Sequence, residues 1–94
     1  MSTTPVTPAG TVYCGKEQIT SLSTVKSVTA PSNARWAILK SRVQAVYVNL
    51  GATNATSADM LIDVGQPLEV TTPLADVRII ESAASATVDV WYFG

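Results

Sequence analysis

The chain has 94 residues, of which 47% are hydrophobic and only 14% charged, and its net charge at pH 7 is −1. This length suits one domain, and the absence of any basic run argues against nucleic-acid binding, which needs clustered cations to neutralise phosphates. No apolar stretch approaches the roughly 20 residues of a membrane helix, and MSTTPVTPAG lacks the features of a signal peptide, so we expect no membrane partner and synthesis in a cytoplasm.

The composition also argues against catalysis and metal binding. With no histidine, neither a Ser–His–Asp nor a Cys–His arrangement can form, and a single cysteine cannot supply the ligands that zinc requires. Cys14 can form no intrachain disulfide and is expected to be a small buried apolar residue. Several of the seven carboxylates fall in or beside turns, and no calcium or phosphate loop is present. The sequence therefore predicts a protein that is not an enzyme and has no cofactor.

Residues 1–9 differ in composition from the remainder of the chain. They contain Pro5, Pro8 and three threonines but no charge. Because proline fixes φ and removes a backbone donor, this segment is predicted to be a flexible, extended arm preceding a domain over residues 10–94. Two interpretations remain open for the arm: a frayed terminus, or a segment that orders along a neighbouring subunit.

After the arm, short runs of β-forming residues alternate with turn residues, without a helical period. GTVYC (10–14) predicts a first strand that stops at Gly15. Residues 19–30 predict a long or broken edge strand, with Lys26 facing water as a guard against edge pairing. A turn at residues 31–33 follows from Pro and Asn chemistry.

The next two runs predict a hairpin. RWAILK (35–40) is apolar on both faces, which favours a central strand and places Trp36 in the core. QAVYVNL (44–50) alternates, with Tyr47 outward and with three residues inward, namely Val46, Val48 and Leu50. We expect the bend between the two runs at Ser41–Arg42.

The second half contains a polar loop and further strands. Residues 51–60 are small and polar and predict the loop, while PLEVT (67–71) begins a strand with proline. Residues 74–84 can be read as a short helix, but their branched apolar residues favour a strand over 77–82, joined in a final hairpin to 86–93. Six to eight short strands predict an all-β fold, a single β-sandwich. Jelly-roll connections are one option, and the strand order is open.

The last residues, ATVDVWYFG, place aromatic side chains on both faces of the final strand. Val88, Val90 and Tyr92 are expected inward, so Trp91 and Phe93 share the outer face with Thr87 and Asp89. Either the arm or a loop covers that aromatic end, or it meets a partner. A flat aromatic patch also suits glycan binding, the less favoured alternative, with Tyr47, Trp91 and Phe93 as the stacking residues.

Two segments of the second half show a characteristic order of features: 46-VYVNLGATNATSADMLIDVGQPLEV-70 and 74-LADVRIIESAASATVDVWYF-93. A strand leads into a loop rich in Gly, Ala and Thr, then an apolar pair, then Gly-x-Pro-Leu-Glu opening a strand. An Ile-rich strand and an alternating strand with terminal aromatics follow. This order resembles small β-sandwich virion proteins of tailed bacteriophages. Asn49 and Leu50 depart from it, since charged residues often precede the loop there.

The resemblance implies a structural virion protein, made in the host cytoplasm, that decorates the capsid and cements neighbouring capsid subunits. Its expected partners are the major capsid protein and further copies of itself, as a homodimer or homotrimer. A neck, tail or fibre-adaptor component is the alternative within the virion. The residues expected to contact partners are Thr3, Pro5, Val6 and Pro8 of the arm, together with Trp91 and Phe93.

Overall fold

The computed structural model describes residues 12–94, so the predicted arm, with Thr3, Pro5, Val6 and Pro8, lies outside the described residues. The described part forms eight strands: β1 (Tyr13–Ile19), β2 (Lys26–Ser27), β3 (Trp36–Arg42), β4 (Val46–Asn49), β5 (Met60–Ile62), β6 (Pro67–Val70), β7 (Arg78–Glu81) and β8 (Thr87–Phe93). One 3₁₀ turn, Leu74–Asp76, precedes β7 in this part of the chain.

The strands form two four-stranded antiparallel sheets, confirming the predicted all-β sandwich. The front sheet has the order β1-β8-β3-β6 and the back sheet the order β2-β7-β4-β5. Pairing joins β1 with β8, β2 with β7, β3 with β6 and β4 with β5, as if one long hairpin had been rolled up. Contacts of β3 with β8 and of β4 with β7 complete the sheets. This connectivity is a jelly roll.

Both predicted hairpins are wrong. The strands β3 and β4 lie in different sheets, and so do β7 and β8. Alternation determines which face of a sheet a side chain occupies, but it carries no information on which strand is the neighbour. Residues 82–86 are long enough to cross the roughly 10 Å between packed sheets. Short connections here therefore carry the chain from one sheet to the other.

The start of the domain also differs from the prediction. The strand β1 does not stop at Gly15 but runs through it, with a register irregularity between Tyr13 and Gly15 that marks a β-bulge. Gly15 has φ of 130°, which residues with a side chain rarely adopt. The long edge strand predicted for residues 19–30 is reduced to the two-residue β2, whose Lys26 is exposed as expected.

The core lies between the sheets and contains the inward residues predicted for two strands. Val88, Val90 and Tyr92 of β8 are buried, as are Val46 and Val48 of β4. Leu50 is half-buried and packs against this core. Each fully buried aliphatic side chain contributes about 1.5–3 kcal/mol, so these alternating residues hold the sheets face to face.

Candidate functional site: an aromatic end on the front sheet

The strand register arranges the outer face of the front sheet in rows across the strands. Tyr13, Phe93 and Trp36 are directly paired on β1, β8 and β3 and form the outermost row. The neighbouring row includes Lys16 and Trp91 and continues through Ile38 to Glu69. We call the four aromatic residues of these two rows the aromatic end: Tyr13, Trp36, Trp91 and Phe93.

The rings of the outermost row stand upright on the sheet. Trp36 and Phe93 have ring centroids 4.5 Å apart and planes 24° from parallel. Adjacent strands lie about 4.8 Å apart, close to the distance between these two ring centroids. The two rings therefore face each other along the direction that runs from one strand to the next. Tyr13 contacts the other side of Phe93 at 5.7 Å and 58°. Trp36 and Phe93 thus cover one face of each other and direct their edges outward, while Tyr13 lies tilted against Phe93.

Burial differs among the residues of the aromatic end. Phe93 is only 5% exposed because its row neighbours flank it, whereas Tyr13 is 57% exposed. Trp36 and Trp91 are half-buried. The Lys16 Nζ lies 6.0 Å from the centroid of the Trp91 ring, a cation–π distance. Trp91 and Phe93 therefore share the outer face, as predicted, but Trp91 is the more accessible of the two.

Trp36 corrects one prediction, since it does not lie in the core. The inward residues of β3 are Ala37 and Leu39, both fully buried, and Trp36 lies on the opposite face against Phe93. Both faces of this strand are apolar, and alternation alone cannot say which one turns inward. The narrow Ala37 fits the space between the sheets, while the broad indole gains its contacts outside.

Sequence reasoning missed Tyr13. Strict alternation from Gly15, which pairs with the inward-facing Tyr92, would turn Tyr13 inward as well. The bulge shifts the register by one residue, so Tyr13 pairs with Phe93 on the outer face. The glycine was the available signal, because an isolated glycine inside a β pattern is typical of a bulge.

The outer face becomes polar away from the aromatic end. Asp89, only 6% exposed, accepts a hydrogen bond from Gln18 Nε2 at 3.3 Å and forms an ion pair with Arg42 Nη1 at 3.3 Å. Lys40 pairs with Asp89 in the register and is exposed. Asp89 therefore shares the outer face, as predicted, but its carboxylate is buried among its partners.

Tyr47 lies on the opposite side of the molecule from the aromatic end. In the register it pairs with Leu61 and Ile80, and these three residues form an apolar row on the outer face of the back sheet. Leu61 is 48% exposed, while Tyr47 and Ile80 are half-buried. We call this set the back row. The structure therefore separates Tyr47 from Trp91 and Phe93 instead of joining them in one patch.

The Glu17 carboxylate, at the edge of the front sheet, links a loop to two strands. Glu17 Oε1 accepts a hydrogen bond from the Tyr92 hydroxyl and one from the Thr29 backbone N–H at 2.7 Å. Burial, followed by the hydrogen bond to Glu17, raises the pKa of the Tyr92 hydroxyl above its ordinary value of 10.0. This contact fastens the loop before β3 to β1 and β8.

Residues 12–94 show no group of three or more side chains suited to hold a metal ion, and no helix among them is long and apolar enough to span a membrane. Cys14 is half-buried, packs against the core and has Sγ 3.5 Å from the Val12 carbonyl oxygen. The predicted small apolar role fits this position.

Comparison of the chain with known proteins gives no match, whether to protein-family models, to curated protein sequences or to solved structures.

Proposed function

We propose that the protein is a structural virion component of a tailed phage that binds the outer capsid surface and cements neighbouring capsid subunits. The observation that carries this proposal is the aromatic end. Trp36 and Trp91 are half-buried and lie on the outer face of the front sheet. No further strand of the described residues lies over that face. Aromatic residues on a flat, rigid surface are typical anchors of protein interfaces.

The ring geometry favours a protein partner over a glycan. Sugar stacking needs an aromatic face open to solvent, but Phe93 is flanked by Tyr13 and Trp36, and one face of Trp36 is taken by Phe93. Lys16 lies over the ring of Trp91. Upright edges between other side chains suit the interdigitated packing of a protein interface instead.

Cementing requires contact with more than one neighbour, and the sandwich offers two opposite surfaces. The aromatic end lies on the front sheet, and the back row of Leu61, Tyr47 and Ile80 lies on the back sheet. One surface would bind the capsid protein and the other a further copy or a neighbouring subunit. Weak contacts of this kind add up when they are repeated around a shell.

Binding to shells that lack the protein tests this proposal. Purified chain would be mixed with shells from a phage deleted for its gene, and bound protein would be measured by co-sedimentation. We expect Trp91→Ala to weaken binding roughly tenfold or more, as for an interface anchor. Val64→Ala removes an exposed apolar side chain outside both proposed surfaces and should leave binding unchanged. Equal binding by wild type and Trp91→Ala would reject the aromatic end as the capsid contact.

A further inference from the structure

Positive charges are concentrated on the outer face of the front sheet. Three of the six cations, Lys16, Lys40 and Arg42, lie on its outer face, because they pair in the register with outward residues of β8. Within residues 12–94, two of the seven carboxylates share that face, Asp89 and Glu69. The face is therefore net positive in a chain of net charge −1.

The charges available to a partner are also net positive. Asp89 is buried and held by Arg42 and Gln18, so this carboxylate is already satisfied within the molecule. Lys40 is exposed and makes no ion pair among the described residues, and Lys16 is exposed beside Trp91. Glu69 lies at the far edge, on β6. Two accessible ammonium groups thus flank the aromatic end on either side of Trp91.

The aromatic rings add to the preference for a negatively charged partner. An aromatic ring is negative on its face and positive along its edge. Because Trp36 and Phe93 use their faces on each other, their edges point outward. A partner oxygen with negative charge meets favourable ring edges there.

We infer that the aromatic end, with Lys16 and Lys40, docks on an acidic protein surface, in which carboxylates surround an apolar contact. This inference rests on the proposed function and names the chemistry of the capsid surface that the protein binds. Trp36 and Trp91 supply the apolar contact, and the two lysines pair with carboxylates of the partner. The opposite charges steer the encounter and fix its orientation more than they add affinity.

Charge reversal combined with salt titration tests the inference on the same shells. Lys40→Glu should weaken binding about tenfold at low salt, and Lys26→Glu, the same change on the exposed edge of the back sheet, should leave it unchanged. Glu69→Lys should strengthen binding. Raising sodium chloride from about 50 to about 500 mM should weaken the wild type and reduce the difference between wild type and Lys40→Glu.

The outcomes separate the two proposals. If wild type binds the shells but salt, Lys40→Glu and Glu69→Lys leave its affinity unchanged, the partner surface is not acidic and the inference is overturned, while the proposed function stands. If Lys26→Glu and Lys40→Glu weaken binding equally, binding depends on the net charge of the protein and not on the charges of one docked face. The inference fails in that case too. Absence of wild-type binding at every salt concentration overturns the proposed function itself.

Discussion

Phe93 and Trp36 stack across β8 and β3, with ring centroids 4.5 Å apart and planes 24° from parallel. This contact explains how an outward-facing phenylalanine at the end of the last strand is only 5% exposed. It also joins two strands that are far apart in sequence. The aromatic end therefore stabilises the front sheet, and we propose it as the surface that a partner binds.

Removing the Phe93 ring should destabilise the fold, although Phe93 lies outside the space between the sheets. We expect Phe93→Ala to lower the free energy of unfolding by about 3 kcal/mol, because the ring is buried and stacked. Phe93→Leu keeps most of the apolar volume and should cost less than about 1.5 kcal/mol. Urea unfolding measures both, and equal costs for the two variants would contradict the buried apolar volume of Phe93 as the main source of its contribution.

Gly15 should be intolerant of a side chain for conformational reasons. A Cβ at this position meets no atom within 4 Å, but φ is 130°, so the cost of Gly15→Ala is backbone strain. We expect a loss of about 1–3 kcal/mol. Gly51→Ala is the control, since its Cβ would make an ordinary contact of 3.5 Å with Asn49 Oδ1 and should change stability by less than about 0.5 kcal/mol. Similar losses in both variants would contradict the bulge geometry.

Val43 occupies a backbone conformation that β-branched residues avoid. Its φ is 72° and its side chain is 65% exposed, so little packing offsets the strain. Val43→Asn should stabilise the protein by about 1 kcal/mol, because asparagine tolerates the left-handed region. Val64, 53% exposed without positive φ, provides the matched control, and Val64→Asn should shift stability by less than about 0.5 kcal/mol. Thermal unfolding that ranks the two variants in the opposite order would rule out this strain.

Stability should fall at alkaline pH because of Tyr92. Its pKa is raised in the folded protein, by burial first and then by the hydrogen bond to Glu17. Below the ordinary value of 10.0 both states hold the proton and the contribution is complete. Above it the unfolded chain loses the proton first, so the free energy of unfolding declines by up to about 1.4 kcal/mol per pH unit.

Tyr92→Phe isolates this effect, since it removes the titrating hydroxyl but keeps the ring. Urea unfolding at pH 8, 10 and 11 should show a steeper alkaline loss in wild type than in Tyr92→Phe. Parallel curves for the two proteins would mean that Tyr92 does not carry the alkaline dependence.

The sequence correctly predicted which side chains are buried in strands that have one polar face. In β4 and β8, alternation identified Val46, Val48, Val88 and Val90 as buried because successive side chains point to opposite faces. In β3 both faces are apolar, so nothing local separated Trp36 from the core.

Which strands pair with each other was not predictable in the same way. The hairpins expected between β3 and β4 and between β7 and β8 failed because jelly-roll partners lie far apart in sequence. Tyr13 joined the aromatic end through a one-residue bulge, which reverses the face assigned by alternation. The candidate site was therefore half predictable: Trp91 and Phe93 from the last strand, but neither Tyr13 nor Trp36.

The most direct test of the central claim is the copy number of this protein in purified virions, measured by quantitative mass spectrometry against the major capsid subunit. A capsid cement should be present at one copy per capsid subunit or at a simple fraction of that ratio. A handful of copies per particle would place it in the neck or tail instead. Absence from the virion would contradict the proposed function.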